Sequence, residues 1–141
     1  LIASFISGCS LFGPEEVAVS FDTVFQSDTA VRAAPPSQDV LVLRSPAEAE
    51  AFMEMTDLSV PLPAIDFSVS SFVVASGQSG ASGARLSIVE ILLVDNDRVQ
   101  LTLQATGFTP VGTGGPAAFP IHIVVTDRII DAGYAIKTAT L

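Results

Sequence analysis

His122 is the only histidine of this 141-residue chain, and Cys9 is its only cysteine. Serine–histidine catalysis needs a hydroxyl, an imidazole to take its proton and a carboxylate to orient the imidazole. Serines are plentiful, but none stands in a Gly-x-Ser-x-Gly elbow. Strand alternation sets His122 on the face opposite to Ile121 and Ile123, so it reads as a strand histidine, hydrogen-bonded or exposed. Zinc takes several Cys or His ligands, and one of each is too few. Asp95-Asn96-Asp97 groups oxygen ligands but lacks the later Gly and Glu of an EF-hand, so a tight turn explains it. The Gly-rich stretch Ser76 to Gly83 is not followed by Gly-Lys-Ser/Thr and a helix; Arg85 leads into a strand pattern, so the stretch reads as a connection and not a phosphate cradle. Any two of the 15 acidic residues could converge for glycoside hydrolysis, but no pair is singled out. The chain therefore shows no catalytic set, and no metal or cofactor is expected.

Cys9 carries a sharper signal. It closes the apolar run Leu1-Ile2-Ala3-Ser4-Phe5-Ile6-Ser7-Gly8-Cys9. Ile-Ser-Gly-Cys resembles the lipobox of bacterial lipoproteins, in which the leader is cut before the cysteine and the thiol carries a diacylglycerol. A complete leader also has a basic end, and residues 1–8 hold no charge, so the first residues of a leader are expected ahead of Leu1. Residues 1–8 then read as a signal-peptide remnant and 9–16, with Gly13-Pro14-Glu15-Glu16, as a tether. Acyl chains contribute about 0.8 kcal/mol per buried methylene, so more than one chain anchors stably. Ser10 is not the aspartate that resembles an inner-membrane retention signal. The resemblance thus implies a lipid-anchored protein of the bacterial cell envelope, at the outer membrane facing the periplasm in a Gram-negative cell.

Residues 17–141 are long enough for one domain with a real core. Hydrophobic residues make up 49% of the chain, which excludes disorder. No run past the leader reaches the ~18 apolar residues of a membrane span. A net charge of −9 repels phosphate backbones and excludes nucleic acid as a natural partner.

The elements that would position any site are mostly strands. Val17, Val19, Phe21, Thr23 and Phe25 alternate along 17–25, a half-buried strand. Residues 27–39 hold Pro35-Pro36 and read as a loop, and Val40-Leu41-Val42-Leu43 as a short strand apolar on both sides. A helix follows: Ser45 at the N-cap, Pro46 at the first position and Glu48 completing a Ser-x-x-Glu capping box, over by about Asp57 ahead of Pro61 and Pro63. Ala49, Phe52 and Met53 form its core stripe. Residues 71–75, 86–94, 98–104, 121–126 and 134–139 read as strands. The 86–94 strand is nearly all apolar, suits a central strand, and pairs with 98–104 across the 95–97 turn. Val99, Leu101 and Leu103 of that second strand point inward. The fold class expected is mainly β with an α+β character: an antiparallel sandwich or roll with one short helix packed on the sheet.

Ile65-Asp66-Phe67-Ser68, then Val73-Val74-Ala75 with the Gly-rich loop, then Leu86-Ser87-Ile88 with the hairpin, then Phe119-Pro120-Ile121-His122-Ile123-Val124 stand in this order. That order resembles the C-terminal domain of protease complex subunit PrcB, over about residues 40–128. Gly83-Ala84-Arg85-Leu86 stands where that family has Gly-Gly-Tyr, and Ile121 where it has Tyr. The resemblance implies an accessory lipoprotein for an exported protein such as a serine protease, and marks Asp66, Phe67, Pro120 and His122 as motif positions. The same residues have architectural readings. Asp66 caps a turn into a strand, and Pro120 opens a strand where its missing N–H is tolerated. Gly112, Gly114 and Gly115 admit positive φ in the 107–118 loop.

The function expected is a non-enzymatic envelope lipoprotein that binds an exported protein partner. Two alternatives differ in class. A small-ligand-binding β-domain would show an apolar cavity between helix and sheet. A hydrolase with a dispersed site would gather His122 with a serine and an acid.

Overall fold

The computed structural model describes residues 16–27, 38–56, 58, 61–77, 83–94, 98–107, 119–126 and 133–140. Among the described residues, eight strands and one helix follow in the order β1 (Glu16–Ala18), β2 (Phe21–Ser27), β3 (Gln38–Leu43), α1 (Pro46–Met55), β4 (Ser71–Gly77), β5 (Arg85–Val94), β6 (Arg98–Thr106), β7 (Ile121–Thr126) and β8 (Gly133–Thr140). Two four-stranded sheets result, one ordered β1-β5-β6-β8 and the other β2-β7-β4-β3. The architecture is a β-sandwich with one helix. All pairs are antiparallel except the last: β8 runs parallel to β6, from Arg98↔Gly133 to Ala105↔Thr140.

The period of two in the sequence accounts for the layers. Val40 and Val42 of β3, Val73 and Ala75 of β4 and Val124 of β7 face Leu86, Ile88 and Ile91 of β5 and Val99, Leu101, Leu103 and Ala105 of β6, forming the core between the sheets. The alternate residues of the second sheet, Leu43, Phe72, Val74, Ile121 and Ile123, form another core with Ala49 and Phe52 of α1. β4 is therefore buried along its whole length, with a sheet on one face and the helix layer on the other. Val99, Leu101 and Leu103 point inward as expected, and β5–β6 is the hairpin read from the sequence. Gly107, at the far end of that hairpin, has φ +72°, and a Cβ there would meet the Gly83 carbonyl oxygen at 3.3 Å.

α1 starts at Pro46. The Ser45 hydroxyl accepts from the Glu48 N–H at 3.2 Å. The Glu48 carboxylate reaches back one residue further than a capping box implies, accepting from the N–H of Arg44 at 2.8 Å. At the other end, the Thr56 hydroxyl donates to the Phe52 carbonyl at 2.9 Å, which satisfies one of the open carbonyls there.

One expectation is corrected. The single strand over 17–25 is two strands in different sheets: β1 pairs with β5, the chain crosses at Val19-Ser20, and β2 pairs with β7. A register shift between Thr23 and Phe25 then turns Phe25 to the helix side, while Phe21 packs toward the inter-sheet core. Alternation alone cannot reveal a crossing or a bulge, because the bulge inserts one residue without breaking the apolar pattern. β5 takes the central place expected of it, between β1 and β6, with Val89 (46% exposed) and Glu90 open at a second register shift, between Ile88 and Glu90.

Candidate functional site

Where β1 ends at Ala18, the flank of β5 from Arg85 to Ile91 has no strand beside it on that side among the described residues. Exposed or unpaired backbone groups are costly when buried, and side chains from the other sheet satisfy these. The Gln26 amide of β2 donates to the Leu86 carbonyl at 2.9 Å and to the Ser87 hydroxyl at 2.8 Å, while its oxygen accepts from Arg85 at 2.8 Å. The Ile88 N–H donates to Nδ1 of His122 at 2.8 Å. The Val19 N–H donates to the Ile91 carbonyl at 2.9 Å. The sandwich is thereby closed along one side by side chains standing in for a strand.

His122 is the centre of this closure. β7 alternation turns it between the sheets, on the same face as Val124, and it is only 4% exposed. Nδ1 accepts from a backbone amide, so in the neutral ring the proton sits on Nε2, which faces the Thr23 hydroxyl at 2.9 Å. Burial pushes the imidazole pKa below its ordinary value, and the nearby Arg85 guanidinium pushes it the same way. Both nitrogens are engaged, by a threonine hydroxyl and an amide; the lone pair a general base would use is already spent. A serine and a carboxylate are not the partners of this ring.

The other motif positions fall elsewhere. Asp66 is exposed and shapes a turn: its Oδ1 accepts from the Ser68 hydroxyl at 2.6 Å and the Ser68 N–H at 3.0 Å. Its carbonyl accepts from the N–H groups of Val69 at 3.1 Å and Ser70 at 3.0 Å, just before β4 begins. The Ser68 bonds, the hydroxyl first, hold the Asp66 carboxyl below the usual carboxylate range. Phe67 is half-buried and meets Phe72 edge-on, with ring centroids 5.9 Å apart at 75°. Pro120 is buried ahead of β7; its carbonyl accepts from Gly77 N–H at 3.1 Å, which extends the β4–β7 ladder by one step. Asp66 and Phe67 are neighbours at the helix layer, and His122 lies on the far side of that sheet.

A cleft of about 440 Å³ opens beside Phe67. Pro46, Ala49, Glu50 and Met53 of α1 form one wall, residues 62–65 the other, and Phe67 and Phe72 the floor. Glu50 is its only charged lining residue. The size falls in the range of ligand clefts. The sequence marked Phe67 as a motif position, carried Ile65 in the same motif order and set Met53 in the core stripe of the helix; Leu62 was missed, because a residue between two prolines shows no periodicity. Thr23 and Gln26 were also missed, since their roles depend on the bulge and the sheet crossing.

Among the described residues, no group of three or more His, Cys, Asp or Glu could hold a metal ion, and no helix is long and apolar enough to cross a membrane. Cys9, the tether up to Glu15, the Asp95-Asn96-Asp97 turn, most of the Ser76–Gly83 stretch, and Gly112, Gly114 and Gly115 lie outside the described residues, while Glu16, the last tether residue, opens β1. Against known proteins, the chain matches no family model, no curated protein and no solved structure.

Proposed function

We propose that this chain is a non-enzymatic binding lipoprotein of the bacterial envelope, an accessory subunit whose α1 cleft takes an apolar segment of an exported protein. The observation that carries this reading is the cleft: an open, largely apolar groove in a domain whose one histidine is committed to holding the sheets together. Charge narrows the occupant. Glu50 lines the groove, Glu54 follows one helical turn on, the last turn of α1 has no basic residue, and the chain carries −9. A segment with apolar side chains next to a lysine or arginine complements that surface. The Cys9 motif and the order of segments that resembles the PrcB C-terminal domain support the same reading, with an exported serine protease as one candidate partner. So does the layout. β1, which follows the Cys9 segment in sequence, stands in one sheet, and the cleft lies on the outer face of the other.

The test is co-purification of the tagged full chain from detergent-solubilised envelopes. Wild type should retain an exported protein that both Ile65→Asp and Glu50→Lys lose while their melting temperatures hold. Retention by both variants, or a strictly lone chain in wild type, would overturn the proposal. A groove that instead retains a small apolar molecule from the extract would favour the small-ligand reading.

A further inference from the structure

We propose that His122 is a pH-sensitive tie between the two sheets, whose protonation releases the unpaired flank of β5. The geometry admits only the neutral ring. A second proton, on Nδ1, would face the Ile88 N–H across 2.8 Å, donor against donor, in a residue 4% exposed. The ring must then swing or the flank must part from β7, and either outcome leaves the Ile88 amide without its acceptor.

The surroundings offer the imidazolium no compensation. On β5 the charged groups are Arg85, which repels a second cation, and Glu90, which is exposed at the register shift. On β2 there is Asp22, exposed and opposite Val125 on the face away from Thr23. β4 and β7 carry no charged residue besides the ring itself. No carboxylate bonds to the ring among the described residues; its partners are Thr23 and Ile88. Burial lowers its affinity for protons, which places the release below the ordinary histidine range.

The released element is specific. Gln26 still holds Leu86 and Ser87, and Val19 still holds Ile91, so the opening is centred on Ile88. Acid therefore exposes one strand flank and leaves both cores in place.

Amide hydrogen exchange on the full chain, read residue by residue by NMR, tests this. As pH falls from about 7.5 through the ordinary histidine range and below it, protection at Ile88, corrected for intrinsic exchange, should fall and then level once the folded ring is itself protonated. Protection at Leu101 and Leu103 of β6 should stay unchanged. In His122→Gln, whose amide can accept and donate without titrating in this range, Ile88 protection should not depend on pH. The His122 ring resonances of wild type provide a second readout and should shift only at lower pH than that at which Ile88 protection begins to fall, because the opened chain takes the proton first. Ile88 protection that is flat with pH in wild type, the same fall in His122→Gln, or a ring that titrates no lower than an ordinary histidine would each overturn the proposal.

Discussion

At the scale of residues, Thr23 and Ile88 decide what His122 does. Their two bonds use both ring nitrogens, which makes the side chain a structural cross-link and fixes its tautomer. Thr23→Val removes the hydroxyl that Nε2 meets in a part-buried bond, and should cost about 1 kcal/mol in chemical denaturation. The pH dependence follows in sign from the lowered folded-state pKa. Above about 6.5 the ring is neutral in both folded and unfolded chains, and its full contribution is present. As pH falls through that value the unfolded chain takes the proton first, so stability declines until the folded-state pKa is passed, then levels. Urea melts from neutral pH down to about 5 should show the midpoint falling in wild type and staying flatter in His122→Gln; equal slopes would contradict the assignment. The turn role of Asp66 was legible in the sequence because an aspartate before Phe67-Ser68 can bond its own backbone two residues on, and Oδ1 does so at Ser68. The His122 partners were not legible. The resemblance marked the residue but not its role, and Thr23 lies 99 residues away across a bulge.

At the scale of elements, α1 was the most readable part of the chain. Ser45, Pro46 and Glu48 mark its start by chemistry that works within one turn, and Ala49 and Phe52 mark its buried face. Local signals of this kind need no tertiary context. The crossing from β1 to β2 was unreadable for the opposite reason: Val17 to Phe25 alternates as one strand would, and only pairing with β5 and β7 separates the halves. The parallel β8 was hidden likewise, because strand direction within a sheet leaves no mark on alternation. Ser45→Ala should cost about 1 kcal/mol through the lost cap. Phe52→Ala, at 4% exposure in the second core, should cost more, about 3–5 kcal/mol. Thermal unfolding that finds the Phe52 change milder than the Ser45 change would mean that α1 is not held by its apolar face. Gly107→Ala combines a positive φ with a backbone oxygen in the way, and should destabilise by about 1 kcal/mol or more.

At the scale of the whole molecule, two layers of core do separate jobs. The core between the sheets, tied at His122 and Gln26, makes the sandwich rigid. The second core seats α1 so that its outer edge and residues 62–67 leave a groove. The anchor reading belongs to this scale as well. Cys9→Ser should move the domain from the membrane to the soluble fraction with its melting temperature unchanged, since among the described residues the cores draw on nothing before Val19. Persistent membrane attachment of that variant would refute a lipid at Cys9. The central claim is that the α1 cleft receives a segment of an exported partner. It is tested most directly by placing a photo-crosslinking residue at Met53, inside the cleft, and in a second strain at Val89, exposed on the other sheet. Illumination of intact cells should give one dominant adduct with an exported protein from position 53, abolished by Glu50→Lys, and none from position 89. Adducts from position 89 alone, or no adduct from position 53, would contradict the account.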